Sequence, residues 1–239
     1  MNTEEKTQLL QRYQAVLHRI AQAEKAAGRE DKVQLLAVSK TKPLWMIEAL
    51  AEAGQQAFGE NYVQEAVEKI AASQAQFPQL VWHYIGPIQS NKTKYLAQHF
   101  HWVHSIDRLK IARRLSEQRP AERPPLQVLI EVNISTETTK SGVMPEDVLP
   151  LAQEMVQLPN LQLRGLMCIP QKAETLEEQR QPFRAMKTLL SQLQTALPEQ
   201  SLDTLSMGMS ADLEAAVLEG ATMVRIGTDI FGARDYSQK

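Results

Sequence analysis

The stretch QVLIEVNI (127–134), followed by PEDVLPLAQEMVQ (145–157), decides how the rest of this chain is read. The first run is short and apolar and suits a strand. The second is longer and carries its apolar residues at helical spacing. Toward the C-terminus the pair recurs as LRGLMCI (163–169) with a helix expected from about Glu174 to Ala196. It recurs again as TLSMG (204–208) with SADLEAAVLEG (210–220), and the series closes on MVRIG (223–227). Toward the N-terminus it recurs as LLAVS (35–39) with a helix from Pro43, and as AFGE (57–60) with NYVQEAVEKIAAS (61–73). VWHYIG (81–86) then precedes a helix from about Asn91, and WVHSI (102–106) one from Asp107. A doubly wound sheet usually stops short of eight strand-then-helix units, whereas a barrel needs eight. The pattern therefore predicts an α/β fold, a single (β/α)8 TIM-type barrel. Leu9, Leu10, Tyr13, Leu17, Ile20 and Ala21 lie at helical spacing before Gly28, so residues 1–30 are expected to add an N-terminal helix packed on the barrel. Residues 1–239 are expected to form one domain, because RPAERPP (119–125) is only a proline-rich loop and no linker or low-complexity tract intervenes.

Composition narrows the function classes. Lys and Arg number 26 against 28 Asp and Glu, a formal net charge of −2, so no global positive field exists to hold nucleic acid. Cys168 is the single cysteine, which excludes an intrachain disulfide framework, and MNTEEKTQLLQRYQ lacks the basic start and apolar core of a secretion signal. A cytoplasmic location is expected. Mean hydropathy is −0.33, and no apolar run approaches the roughly 18 residues of a membrane helix, so no membrane partner is expected.

In such barrels the loops after the strands line the site. Here those positions are unusually polar: Ser39 and Lys40, Glu60 and Asn61, Gly86 and Gln89, Ser105, Asn133, Ser206 with Ser210, and Arg225 with Gly227 and Thr228. Lys40 ends LLAVSK. In a partly dry barrel mouth its ammonium loses solvation, which frees the neutral amine that Schiff-base chemistry requires. A lysine reaching from a strand end into solvent is the competing reading, and Lys42 competes for the chemical role. Ser210, at an expected helix start with Asp212 just inside, offers a hydroxyl and backbone N–H groups to a phosphate, or serves as an ordinary N-cap. Gly227 allows close backbone approach, and Thr228 adds a hydroxyl. Phosphate sites in barrels often use the loops after the last two strands. Arg225 shares a strand face with Gly227, opposite Val224 and Ile226, and points either at a ligand or at a barrel carboxylate such as Glu60 or Glu131. A metal reading of HFHWVH (99–104) lacks thiolates or a carboxylate set, so no metal is expected, and His83 and His104 are read as strand packing residues. Cys168 is read as a small buried apolar residue.

AVSKTKP (37–43), FGENYVQEAVEKI (58–70), WHYIGPIQSNK (82–92), TKSGV (139–143), LRGLMCIP (163–170), LSMGMSADLEAA (205–216) and MVRIGTDIFGARDY (223–236) together resemble the pyridoxal phosphate homeostasis protein family over almost the whole chain. The resemblance implies the alanine-racemase-type barrel, a fold type III arrangement. It implies pyridoxal 5'-phosphate (PLP), the vitamin B6 cofactor, as an internal aldimine on Lys40. Ser210, Gly227 and Thr228 would contact the phosphate, Arg225 would face the pyridine nitrogen, Asn61 would line the pocket, and Lys140 is a secondary PLP lysine or a solvated loop residue. An arginine at the ring nitrogen leaves it neutral and a weak electron sink. The related racemases use a tyrosine from a further domain as second base, and Tyr62, Tyr84 and Tyr95 are read as packing residues instead. The implied function is an intracellular PLP carrier or buffer without an established catalytic reaction. Its implied partners are PLP and apo PLP-dependent enzymes, and its implied state is a monomer or weak dimer. A PLP-dependent racemase or lyase is the alternative, and a cofactor-free Schiff-base aldolase or sugar-phosphate enzyme is what the bare barrel would allow.

Overall fold

The computed structural model describes residues 3–136 and 141–233. Its strands β1 (Gln34–Val38), β2 (Ala57–Glu60), β3 (Val81–Tyr84), β4 (Trp102–Ile106), β5 (Leu126–Val132), β6 (Leu161–Cys168), β7 (Thr204–Ser206) and β8 (Met223–Ile226) form a closed barrel in sequence order. Neighbours are parallel throughout, and β1 closes the ring by pairing Ala37 with Phe58 of β2 and with Ile226 of β8. Helices α1 (Thr3–Ala26), α2 (Leu44–Glu52), α3 (Val63–Ser73), α4 (Thr93–His99), α5 (Leu109–Gln118), α6 (Val148–Met155), α7 (Leu176–Ala196), α8 (Leu213–Leu218) and α9 (Thr228–Phe231) complete the chain. The eight-unit expectation holds. The boundaries move by a few residues, most where short 3-10 turns (Ser90–Lys92 and Pro145–Asp147) precede α4 and α6.

Alternation along each strand builds two layers. Leu35, Ala37, Phe58, Trp82, Tyr84, Val103, Val128, Val224 and Ile226 join the apolar layer between sheet and helices. Leu36, Ala57 and Met223, with Ile85 against them, form a separate apolar cluster on the other face of the sheet, inside the barrel. Local chemistry sets the helices on the outside. In α7 the Thr175 side chain accepts from the Glu178 N–H while the Glu178 carboxylate accepts from the Thr175 N–H, a reciprocal cap that fixes the start. In α1 Leu9, Tyr13, Val16, Ile20 and Ala23 are buried along one stripe that joins the barrel's outer layer. Burying that stripe contributes roughly 1.5–3 kcal/mol for each large side chain removed from water. No helix among the described residues is long and apolar enough to cross a membrane.

Candidate functional site

Parallel pairing in the order β7, β8, β1, β2 sets the ends of four contiguous strands side by side. Lys40 follows β1, Asn61 follows β2, Ser210 follows β7, and Gly227 with Thr228 follows β8, so the structure brings these five residues to one arc of the barrel mouth. Arg225 lies one turn of the pleat below, on β8. The Arg225 N–H donates to the Gly208 carbonyl at 2.9 Å, and a Cβ added at Gly227 would stand 3.3 Å from the Val38 carbonyl, so the loops after β7, β8 and β1 approach backbone to backbone. At the adjacent strand end, a Cβ on Gly86 would meet the Asn61 carbonyl oxygen at 2.4 Å, which only glycine avoids.

The backbone on both sides of Lys40 is clamped. Ser39 is fully buried, and its Oγ donates to Glu60 Oε1 at 2.6 Å. Lys69 Nζ, on α3, donates to the Ser39 carbonyl and to Glu60 Oε1, each at 2.8 Å, and to Glu65 Oε1 at 2.5 Å. On the far side, Thr41 takes the left-handed conformation (φ +62°) and its N–H donates to Glu65 Oε1 at 2.6 Å. A left-handed threonine is strained, and the Glu65 contact holds it there. Burial raises the pKa of Glu60, against the opposing pull of Lys69 and Ser39. Lys42, the alternative lysine, donates from Nζ to the Gly232 and Ala233 carbonyls at 3.2 and 2.9 Å, which ties the loop after β1 to the end of α9.

Arg225 is 4% exposed and points into the barrel, as alternation with Val224 and Ile226 requires. Its Nη1 donates to Ser206 Oγ and its Nη2 to the Cys168 carbonyl, both at 2.8 Å. No ion pair joins it to Glu60 or Glu131 among the described residues. Burial lowers its pKa, and Cys168, Asp212 and Glu131 oppose that. Burial, with Asp107 adding to it, pushes Glu131 up to about 7 despite Arg225. Cys168 is fully buried, with its thiol pushed up to about 12, mainly by burial.

His83 and His104 do more than pack. His104 Nδ1 lies 2.9 Å from Ser206 Oγ, and His104 Nε2 lies 2.9 Å from His83 Nδ1. Arg225 can only donate, so Ser206 Oγ accepts from it. With the Ser206 hydroxyl donating to His104 Nδ1, His104 donates from Nε2 to His83. The opposite direction leaves the serine proton without an acceptor among the described residues. His83 Nε2 then ends the chain as a buried atom without a partner. Burial drives His83 down to about 3 and His104 well below its usual value, so both rings are neutral and the guanidinium alone carries charge in the Arg225–Ser206–His104–His83 series.

Ser210 stands in the turn before α8, and Asp212 is the residue capping that helix rather than one inside it. Its carboxylate accepts from the Met209 N–H at 2.6 Å, and burial raises its pKa. Thr228 is the first residue of α9, which Gly227 precedes. Neither the Ser210 nor the Thr228 hydroxyl is engaged among the described residues, and N–H groups at helix starts lack intrahelical acceptors. Arg19 of α1 braces these loops from behind. It donates to Asp229 at 2.6 Å, to both Glu214 carboxylate oxygens at 2.9 and 3.0 Å, and to the Ser210 carbonyl at 3.1 Å. Arg12 donates to the Ile230 carbonyl at 2.8 Å. Two acidic side chains beside the loops are thereby compensated.

A phosphorylated pyridine aldehyde fits this donor set. The hydroxyls and helix starts suit the phosphate, the N–H donors that Arg225 does not spend on Ser206 and Cys168 suit a ring acceptor, and Asn61 Oδ1 is a buried acceptor without a donor. Lys140 lies outside the described residues. Tyr62 and Tyr95, expected to pack, are instead 51% and 44% exposed. Tyr62 precedes α3, and the Tyr95 ring takes the Lys92 ammonium 5.8 Å from its centroid. Tyr84 is buried, donates to the Pro87 carbonyl at 2.9 Å, and has its pKa raised to about 12 by burial. In the HFHWVH stretch, His101 Nδ1 accepts the Trp82 N–H at 3.0 Å.

Residues 12–235 match the family described as alanine racemase, N-terminal domain. The pyridoxal phosphate homeostasis protein of Pasteurella multocida is 54% identical over 230 residues, covering 96% of this chain and 97% of that protein. The protein of the same description from Pseudomonas aeruginosa is 57% identical over 222 residues, covering 92% and 94%. Among solved structures, PipY of Synechococcus elongatus with PLP bound superposes with a TM-score of 0.82 at 35% identity, covering 94% of this chain and all of that one.

Proposed function

The chain belongs to the pyridoxal phosphate homeostasis protein family, and from that premise we propose that it binds PLP covalently at the barrel mouth and acts as a carrier or buffer of the cofactor for apo PLP-dependent enzymes. The observation that carries this reading is the arc of Lys40, Asn61, Ser210, Gly227 and Thr228 over Arg225, on four contiguous strands. It is supported by the PLP-bound relative PipY.

When bound, the cofactor supplies an aldehyde that condenses with a primary amine and a ring that can draw electrons from the attached carbon. Lys40 supplies that amine, and the Ser39–Glu60–Lys69–Glu65 contacts hold its backbone in place. Ser210, Thr228 and the N–H groups that begin α8 and α9 hold the phosphate, with Arg19 fixing the two loops relative to each other. Arg225, held in place by Ser206 and the Cys168 carbonyl, would donate a hydrogen bond to the ring nitrogen and give it no proton. Without that proton the ring stays a weak electron sink, which suits storage and release better than bond breaking.

Absorption spectroscopy with a transfer assay tests the proposal. Added PLP is expected to give a visible band that Lys40→Ala loses, and the band is expected to fall as an added apo PLP-dependent enzyme gains activity. A band that persists unchanged in Lys40→Ala, or one that never falls, overturns the carrier reading. Sustained turnover of added amino acids would return the racemase or lyase reading.

A further inference from the structure

We propose that a second ligand site, for a small organic carboxylate with a flat apolar body, lies at the opposite end of the barrel from Lys40. A cavity of about 360 Å³ opens there between the end of α3, the turn entering β3 and the turn from α4 to β4. Phe77, Leu80 and Trp82 form apolar walls, and His99, His101 and Arg123 form the polar edge. No carboxylate lines it among the described residues.

The polar edge consists of donors waiting for an acceptor. His101 Nδ1 accepts the Trp82 N–H at 3.0 Å, so the neutral ring carries its proton on Nε2. Arg123 spends Nη1 on the Gln98 carbonyl, and its other guanidinium N–H groups have no acceptor among the described residues. The His99 side chain makes no hydrogen bond among the described residues. Arg119 lies just behind, 5% exposed, with its guanidinium on the Ala97, Phe100 and Pro124 carbonyls and in no ion pair among the described residues. One guanidinium and two imidazoles thus face a pocket with no carboxylate in its lining among the described residues, and the Arg119 guanidinium stands behind that lining. Burial first, and then Arg123 and Arg119, hold His101 down at about 4, while Glu122 pulls Arg123 toward its charged form against burial.

Charge and shape together select the ligand class. A half-buried guanidinium such as Arg123 bonds a carboxylate with charge-assisted strength. Phe77, Leu80 and Trp82 reward an apolar body, which inorganic anions lack. The volume is at the small end of the usual range for small-molecule pockets, roughly 300–1,000 Å³, so a single-ring ligand suits it.

Benzoate is the probe. It is titrated into the full-length protein while the imidazole NMR signals of His99 and His101 are followed, with inorganic phosphate as competitor. Saturable shifts are expected, with affinity about tenfold weaker in Arg123→Gln and in His99→Gln, or about 1.4 kcal/mol. His99→Gln removes no intramolecular hydrogen bond, so it keeps the test valid if Arg123→Gln folds poorly. Shifts that do not saturate, equal affinity in both variants, or phosphate competing as well as benzoate itself would overturn the proposal.

Discussion

Replacing Lys69 with methionine tests whether the backbone of Lys40 is held by a buried charge network. Lys69 Nζ serves three acceptors, and its removal leaves Glu60, which is fully buried, with one hydrogen bond from Ser39 and an Oε2 that already lacks a partner. Breaking one side of a buried pair costs about 3–5 kcal/mol. For a chain of this size that lowers the melting temperature by roughly 6–20 °C. The pH dependence supplies a sharper signature. Burial already raises the Glu60 pKa above its ordinary 4.5, and Lys69 is the largest influence opposing that rise, so Lys69→Met raises it further. A carboxyl whose folded pKa is raised holds a proton that the unfolded chain has lost. Its stabilising contribution is complete below the unfolded pKa and is lost as pH rises through the folded one. The deficit of Lys69→Met against the parent is therefore smallest at the acid end of the transition and grows toward neutrality. Glu60→Leu combined with Lys69→Met removes the stranded charge and is expected to recover most of the loss. Urea unfolding of the parent and both variants at about pH 5 and about pH 8 gives the free energies. A deficit below about 1 kcal/mol, or one that is the same at both pH values, would refute the reasoning.

Ser210→Ala and Thr228→Ala should each weaken PLP more than pyridoxal, by about 0.5–1.5 kcal/mol for a neutral bond and up to about 3 for a charged one; equal losses for the two ligands in paired titrations would count against these contacts. Arg19→Gln should weaken PLP by roughly three- to tenfold while leaving helix content unchanged, since exposed pairs are individually worth about 0.2–1 kcal/mol; circular dichroism with a PLP titration would show an unchanged affinity if α1 plays no part in the site. Gly86→Ala should cost about 1–3 kcal/mol as the added carbon drives Asn61 away, and PLP affinity should fall with it; a thermal melt matching the parent would mean that the contact relaxes freely.

What could be read from the sequence was local. Each strand is an apolar run whose end meets a polar residue, so AVSK, AFGEN and MVRIGT displayed Lys40, Asn61, Arg225, Gly227 and Thr228 at their correct places. Strand alternation put Arg225 on the face opposite Val224 and Ile226, and barrel closure turns that face inward. What the sequence hid depends on barrel closure. Arg19 reaches Asp229 across 210 positions, and His104 reaches Ser206 across 102, partners that no local period relates. His83 and His104 read as packing because nothing near them in sequence discloses the serine that links them to Arg225. The Lys40 clamp had a visible half: Glu65 and Lys69 are four residues apart on one helix, a pairing that helical spacing suggests. Its other half, Glu60 and Ser39, needed the β1–β2 pairing. The tyrosines differ for the opposite reason. Tyr62 and Tyr95 sit where a packed role was expected, and both face solvent.

The central claim is that Lys40 carries the cofactor. Borohydride reduction of the PLP-loaded protein, followed by peptide mapping, tests it most directly, because only a carbon–nitrogen double bond is reduced to a stable amine. A phosphopyridoxyl adduct on Lys40, at close to one per chain and absent from Lys40→Ala, is the expected result. Full labelling of another lysine with Lys40 unmodified would contradict the account.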